Sequence, residues 1–197
     1  MNSKSKIILI AASLILILTF FLPLWYIDLE APQYPEGIGL EIWINKITGQ
    51  KPNDLENING LNHYIGMKTI VPESIPELKI IPFIIIFLIA FGLVTAFTGK
   101  RFLVYSWIGL FIILAAVGIY DFYLWEYDYG HNLNPNAAIK IPGMAYQPPL
   151  IGSKMLLNFN AISLPDVSFY ILVIAVGLAI IALRIDTKSK KEIMKNE

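Results

Sequence analysis

Cysteine is absent from the 197-residue sequence. The chain therefore has no disulfide framework and no thiol redox chemistry. It also lacks cysteine ligands for zinc, for an iron–sulfur cluster or for covalently attached haem. A chain without thiols is compatible with an oxidising compartment but does not require one.

Ionisable residues are missing from the long apolar runs of the sequence. No Asp, Glu, Lys, Arg or His interrupts the four runs described below, which excludes a bis-histidine haem within a bilayer and the charged groups of proton relays and ion pathways. The sequence also contains no P-loop, no H-E-x-x-H, no G-x-S-x-G and no dinucleotide fingerprint. A net charge of zero argues against nucleic-acid binding.

Apolar residues are abundant instead. They make up 56% of the chain and charged residues 15%, against roughly 45–50% and 25% in soluble domains. A helix needs about 20 mostly apolar residues to cross a hydrocarbon core of about 30 Å, where no water is available to the backbone. The sequence therefore predicts four membrane-spanning helices, over residues 7–25, 80–98, 102–120 and 167–183.

The first apolar run could instead be a cleaved signal peptide, because Lys4 and Lys6 form a basic segment before it. However, residues 20–25 read Phe-Phe-Leu-Pro-Leu-Trp, where cleavage requires small residues. We therefore interpret the run as an uncleaved span.

Charge asymmetry predicts the orientation of the spans. The two ends and the turn at Lys100–Arg101 carry nine basic and three acidic residues, with Lys190, Lys191 and Lys195 among the cations near the C-terminus. The two long connections, residues 26–79 and 121–166, carry six basic and twelve acidic residues. Because cytoplasmic segments are enriched in Lys and Arg, both termini are predicted to be cytoplasmic and both loops extracytoplasmic.

The outer loops are long and aromatic, and we expect them to fold together as a cap. Ile38, Leu40, Ile42 and Ile44 alternate with other residues, which predicts a half-buried strand. Pro135, Pro142, Pro148 and Pro149 in the second loop predict a mostly extended or turn-rich segment. The predicted fold class is an all-α membrane protein with four transmembrane helices and a small strand- and loop-rich extracytoplasmic cap.

Small residues occur at helical spacing in two of the spans. Gly92 with Ala96, and Ala175 with Ala179, have the small-xxx-small pattern that lets helices approach closely in lipid. The alternative is that apolar helices contain such residues by composition alone.

A short internal similarity follows the first and third spans. Residues 24–28 and 124–128 share the pattern L-W-x-x-D at an offset of 100 residues. It suggests a duplicated span-loop-span unit, and the alternative is chance combined with shared chemistry at the membrane interface.

Four residues of the outer loops form a candidate metal site: His63, Met67, His131 and Met144. Thioether sulfur is a soft ligand suited to Cu(I), and imidazole also binds copper. If residues 61–68 are helical, His63 and Met67 lie on one face at positions i and i+4. The alternative is that the methionines pack in a core and the histidines form loop hydrogen bonds.

Acidic residues at the outer end of the third span provide the basis for an enzymatic alternative. Asp121, Glu126 and Asp128 could act on lipid there, but no pair has recognisable acid–base spacing. We therefore expect a non-enzymatic protein.

Several stretches together resemble a family of small bacterial four-span membrane proteins. They are residues 31–37 (APQYPEG), 58–67 (INGLNHYIGM), 120–131 (YDFYLWEYDYGH) and 146–152 (YQPPLIG). That family is associated with accessory genes of the atypical, Sec-dependent nitrous oxide reductase, a copper enzyme outside the cytoplasm. The resemblance implies the bacterial inner membrane and a role in maturation of, or electron supply to, that enzyme. It assigns no role to any residue.

The leading hypothesis is thus an inner-membrane accessory factor whose cap docks a protein partner at the outer surface and handles copper. The alternative is a structural subunit or scaffold of a membrane electron-transfer or transport complex.

Overall fold

The structure is a computed structural model that describes residues 1–196, with side chains described for residues 1–188. The side chains of Lys190, Lys191 and Lys195, which contributed to the predicted orientation, lie outside the described set. The described chain contains five α-helices and a single five-stranded sheet.

The helices are α1 (Ser3–Leu14), α2 (Asp54–Ile65), α3 (Glu77–Thr98), α4 (Arg101–His131) and α5 (Val167–Asn196). Four of them, α1 with its 3₁₀ continuation, α3, α4 and α5, are long and apolar enough to cross a membrane. The four predicted spans fall on these four helices. The short, more polar α2 lies in the segment between the first and second spans.

The first helical segment ends earlier than predicted. After Leu14 the helix tightens into a 3₁₀ turn, Ile15–Phe20, and Trp25 already belongs to a strand. A 3₁₀ helix rises about 2.0 Å per residue against 1.5 Å in an α-helix. Residues 3–20 therefore extend about 30 Å, which matches the hydrocarbon thickness without the last five predicted residues.

Helix α4 is longer than its predicted span. Its 31 residues extend about 46 Å, whereas about 20 residues are enough to cross the hydrocarbon core. The second loop, residues 121–166, was predicted to be mostly extended or turn-rich. Residues 132–166 are, but the helix continues through residues 121–131. These eleven residues form an overhang, residues 121–131, that reaches into the cap.

The apolar helices pack through the small residues identified in the sequence. Ala96, Ala175 and Ala179 are fully buried in the helix core. At Gly92 an added Cβ would lie 2.2 Å from the Oγ of Ser13 on α1. Trp107 fills the neighbouring space and donates from its indole nitrogen to the carbonyl of Leu88 at 2.8 Å. Close approach, and not composition alone, therefore explains the small residues.

The ends of three helices meet on the side away from the sheet. The amino group of Met1 donates to the carbonyl of Gly99 at 2.9 Å, in the turn between α3 and α4. The Asp186 carboxylate accepts from the Asn2 amide at 2.7 Å and pairs with Arg101 at 2.5 Å. The beginning of the chain, the α3–α4 turn and the polar end of α5 therefore lie at one end of the bundle.

The sheet forms the opposite end of the molecule. Its strands are β1 (Trp25–Ala31), β2 (Tyr34–Ile42), β3 (Ile47–Gly49), β4 (Gly152–Leu156) and β5 (Phe159–Pro165), in the order β3-β2-β1-β5-β4, with every pair antiparallel. The central strand β1 pairs with β2 from the first outer loop and with β5 from the second. Trp25 of β1 lies opposite Ile42 of β2 on one side and Pro165 of β5 on the other. The two outer segments thus fold as one cap.

The predicted strand at residues 38–44 corresponds to β2, which buries Ile38 and Leu40 as the alternation requires. Ile44 lies beyond the strand and packs with the helix core instead. Four further strands were not predicted. In β1, Trp25, Ile27 and Ala31 are buried while Glu30 is exposed, a period-two pattern hidden at the end of a long apolar run.

The L-W-x-x-D segments adopt different structures. Trp25 begins strand β1, whereas Trp125 lies within helix α4. The two segments meet through Phe122, whose ring lies 5.4 Å from that of Trp25 and 6.2 Å from that of Trp125. The similarity therefore reflects packing at one aromatic layer, not a repeated structural unit.

Candidate functional site

The overhang of α4 carries a buried carboxyl group into the cap. Glu126 lies six residues past the end of the predicted span, about 9 Å along the helix axis. Its side chain is 1% exposed. It shares the overhang with Trp125 and Tyr129, whose rings lie 4.4 Å apart and pack against the apolar core of the cap.

Glu126 is among the residues that line a cavity of about 250 Å³, which is bordered by most parts of the cap. Strands β1 and β2, helix α2, the overhang, the segment 139–148 and the β4–β5 hairpin all contribute to its wall. The apolar lining residues are Ile27, Leu29, Leu40, Ile58, Leu61, Ile65, Met67, Ile70, Trp125, Ile139, Pro148, Leu156, Leu157 and Phe159. An apolar cavity of about 150 Å³ is sufficient to hold benzene. The cap therefore encloses room for a small apolar molecule.

Neither carboxyl oxygen of Glu126 has a hydrogen-bond partner among the described side chains and backbone. The hydroxyl of Tyr146, which also lines the cavity, is buried and unpartnered within the same residues. Burial raises the pKa of Glu126 from 4.5 to about 8. At neutral pH the empty cavity thus holds mainly a neutral carboxylic acid, which can donate one hydrogen bond.

Buried polar groups without partners are costly, and native proteins contain few of them. Two other polar groups of the lining have partners. The amide nitrogen of Asn62 donates to the Lys68 carbonyl at 3.3 Å, and that of Asn158 donates to Gln33 at 3.1 Å. The carboxyl group of Glu126, the hydroxyl of Tyr146 and the indole nitrogen of Trp125 are thus buried lining groups without a partner among the described residues.

Gly130 fixes the segment that covers Glu126. It lies one helical turn beyond Glu126 on the same face of α4, and its carbonyl accepts from the Tyr146 amide at 2.9 Å. A Cβ at Gly130 would lie 2.3 Å from the backbone nitrogen of Gln147. The absence of a side chain here allows residues 146–147 to cross directly over the helix and bring Tyr146 into the cavity wall.

The cavity reaches the surface of the cap. Three of its lining residues, Tyr64, Ile139 and Leu157, are more than one-third exposed. A second cavity of about 230 Å³ adjoins it and shares Ile65, Ile139 and Tyr146. Residues 133–142, which include Asn134 and Lys140, thus border the opening of the cavity at the surface of the cap.

The four predicted metal ligands lie in different surroundings. His63 and His131 are exposed, and His131 stacks on the Tyr127 ring at 4.0 Å. Met67 is half-buried and lines the cavity, and Met144 is half-buried outside both cavities. Among the described residues, no group of three or more His, Cys, Asp or Glu side chains could hold a metal ion. The copper site stays a prediction.

The helical pairing of His63 with Met67 is wrong. Helix α2 ends at Ile65, and Gly66 adopts a left-handed conformation with φ of +83°. An added Cβ at Gly66 would lie 2.9 Å from Ala137. Met67 therefore leaves the helix axis and enters the cavity wall, while His63 stays at the surface.

The acidic residues of the overhang separate into different environments. Asp128 is half-buried and pairs with Lys68 at 2.5 Å, and it also accepts from Asn132. The hydrogen bond from Lys68, followed by that from Asn132, lowers the pKa of Asp128. Because Glu126 is buried and Asp128 faces outward, the two carboxyl groups do not converge on one reacting atom.

The sequence-based predictions included Glu126 only in the enzymatic alternative, and they did not include the cavity. Residues 125–129, Trp-Glu-Tyr-Asp-Tyr, suggest an amphipathic interface segment, and nothing in their spacing distinguishes the acid that is buried from the one that is paired. Gly130, one turn after Glu126, was not a distinguishing signal, because α4 also contains Gly109 and Gly118, where an added Cβ would meet nothing within 4 Å.

Comparisons with protein-family models, with curated proteins and with solved structures found no significant match to this chain. Its class is therefore defined by its own architecture. It is a chain with four helices suited to membrane crossing and a five-stranded antiparallel cap that encloses an apolar cavity with a buried carboxyl group.

Proposed function

We propose that this protein is a non-enzymatic accessory protein of the bacterial inner membrane whose extracytoplasmic cap binds a small apolar ligand. The observation that carries the proposal is the 250 Å³ cavity with the unpartnered carboxyl group of Glu126 in its wall. An apolar pocket with a few convergent polar groups is the usual form of a binding site.

The exposed side chains of the helices support membrane insertion. Phe83, Phe97, Phe102 and Ile113 are each more than 60% exposed on their helices. Apolar surface of this extent needs a lipid or protein covering. With Lys and Arg enriched at the end opposite the sheet, the positive-inside rule then puts both termini in the cytoplasm.

The orientation is tested with reporter fusions. Fusions at Gln50 and Asn136 should report the extracytoplasmic side, and a fusion at Lys190 should report the cytoplasmic side. If Gln50 and Lys190 report the same side, the proposed orientation fails.

Ligand binding is tested with octan-1-ol and the full chain in phosphatidylcholine nanodiscs, by calorimetric titration with empty discs subtracted. We expect saturable binding to the wild type, weakened at least about tenfold by Leu61→Trp, which fills the cavity. Val71→Trp makes a comparable addition at an exposed residue outside the lining and should bind as the wild type does. If octan-1-ol does not bind, or if both variants bind it like the wild type, the proposal fails.

The cellular context implied by the family resemblance is part of the proposal. In that context the protein supports maturation of, or electron supply to, a Sec-exported nitrous oxide reductase. The test is the set of neighbouring genes, which should encode such a reductase together with its maturation factors. A neighbourhood without any copper reductase would remove this part of the proposal.

One observation favours a scaffold as the second candidate. Tyr120, Tyr123 and Tyr127 are all exposed along the outer part of α4, and Tyr170 is exposed on α5. Aromatic side chains of this kind are enriched at protein interfaces. Stable co-purification with a quinol dehydrogenase or an ABC transporter, lost when Tyr123 and Tyr127 are changed to Ser, would favour the scaffold.

A further inference from the structure

The cavity contains an acid without any compensating base. Within the described part of the chain, no Lys, Arg or His lines it. The titratable groups that face Glu126 are Tyr64 of α2, Tyr129 of the overhang and Tyr146 of the covering segment. The strands and the hairpin contribute no titratable side chain to the wall. A ligand must therefore supply any positive charge that pairs with the carboxylate.

The walls around Glu126 also suit a cation. Trp125, Tyr129 and Phe159 line the cavity, and the electron-rich faces of such rings attract ammonium groups when water is excluded. Glu126 lies about 9 Å beyond the predicted span along the helix axis, next to the headgroup region, which extends about 5–8 Å beyond the hydrocarbon core. Molecules with a charged head and an apolar body concentrate at that depth.

Resting on the proposed function, we infer that the ligand is an amphiphilic amine whose protonated nitrogen pairs with Glu126 while its apolar body fills the cavity. Charge complementarity favours this class over a neutral or an anionic amphiphile. A carboxylate paired with an ammonium group accepts charge-assisted hydrogen bonds, which are stronger than bonds between neutral groups. An anionic ligand would bring a second negative charge against Glu126.

Binding of the cation is coupled to release of a proton. The empty site holds the proton because burial raises the pKa of Glu126 to about 8. When an ammonium ion enters, the carboxyl group gives its proton to solvent and the ion pair forms, so the charge of the site stays balanced. About nine-tenths of a proton should be released per amine at pH 7, and about one-tenth at pH 9.

The experiment compares n-octylamine with octan-1-ol, which has the same chain length and no charge, on the full chain in zwitterionic phosphatidylcholine nanodiscs. At pH 9 the wild type should bind the amine at least about tenfold more tightly than the alcohol. Its affinity for the amine should rise about tenfold between pH 7 and pH 9, with the proton release measured in buffers of different ionisation enthalpy.

Two variants test whether Glu126 is the group that causes the amine preference and the proton release. Glu126→Gln should bind the amine and the alcohol within about threefold of each other and should release no proton. Asp128→Asn removes an acid two residues away that pairs outside the cavity, and it should retain both effects. Because the pH profile of the wild type needs no variant, the inference stays testable if Glu126→Gln fails to fold.

Three outcomes are distinguishable. Equal binding of the two probes by the wild type, or an amine preference that survives Glu126→Gln, would overturn the amine assignment and leave the proposed function standing. Tighter binding of the alcohol would overturn it as well and would identify a neutral ligand. If the wild type binds neither n-octylamine nor octan-1-ol, both proposals are overturned.

Discussion

Two carboxyl groups are buried at opposite ends of helix α4, and their surroundings differ. Asp186 is 2% exposed and sits beside Arg101 at the start of the helix, whereas Glu126 is 1% exposed, 25 residues further along it. Asp186 has a cation and a backbone amide as partners. Glu126 has none within the described residues. Both groups are removed from water, and only Asp186 is compensated for that loss.

The difference separates a structural carboxylate from a binding one. The partners of Asp186 come from the beginning of the chain and from α4, so its role is to hold three helix ends together. Glu126 lines a cavity that lies between the sheet, α2 and the overhang and reaches the surface of the cap. Under the proposed function, a ligand supplies the partner that Glu126 lacks among the described residues.

The largest expected effect comes from removing the paired acid. Asp186→Ala leaves Arg101 and the Asn2 amide without their partner and should lower the free energy of unfolding by about 2–4 kcal/mol. Thermal unfolding in nanodiscs measures it. Glu126→Gln, measured in parallel at pH 7, should not destabilise the protein. Equal losses in the two variants would remove the distinction between the acids.

The next effect tests the covering segment of the cavity. Gly130→Ala should displace residues 146–147, because its methyl group would overlap Gln147, at a cost of about 1–3 kcal/mol. Hydrogen exchange should increase at the Tyr146 amide. Gly118→Ala on the same helix meets nothing within 4 Å and should leave the exchange unchanged. Unaltered exchange in Gly130→Ala would show that the segment does not depend on this contact.

The pH dependence of stability follows from the unpartnered acid. The pKa of Glu126 is raised from 4.5 to about 8 in the folded protein, so the folded chain holds this proton more tightly than the unfolded chain does. The stability this group contributes is complete below pH 4.5 and is lost as the pH rises to about 8, at about 1.4 kcal/mol per pH unit. The free energy of unfolding is measured for the wild type and for Glu126→Gln at several pH values in this range. The difference between the two, plotted against pH, gives the slope that Glu126 causes. If this difference in unfolding free energy does not change with pH, Glu126 is solvated in the folded protein.

The smallest effect concerns the exposed histidines of the cap. His63→Ala and His131→Ala should each change the free energy of unfolding by less than about 0.5 kcal/mol, because both side chains are exposed. If the predicted copper site exists, Cu(I) titration should detect weaker binding in His63→Ala combined with Met67→Ala. Unchanged Cu(I) affinity in the double variant would remove these two residues from the site.

Much of the architecture was predictable from residue patterns with a short repeat length. The apolar runs around Leu9, Leu88, Phe111 and Ala175 predicted the four long helices, and alternation around Leu40 predicted the strand β2. The boundaries at Phe20 and His131 were not predictable in the same way. Apolar residues continue past Phe20, and aromatic residues continue from Tyr120 towards His131. Hydrophobicity alone therefore does not mark where the helix becomes a strand or leaves the membrane depth.

The cavity was decided by tertiary structure. Its walls combine residues that are far apart in the chain, such as Ile27, Ile58 and Leu156, and its acid became significant only when Gly130 allowed residues 146–147 to cover it. The sequence alone determined four lipid-compatible helices and a charge asymmetry, because both depend on local composition. Which acid is paired and which is left facing an apolar space depends on long-range packing, and composition carries no record of that packing.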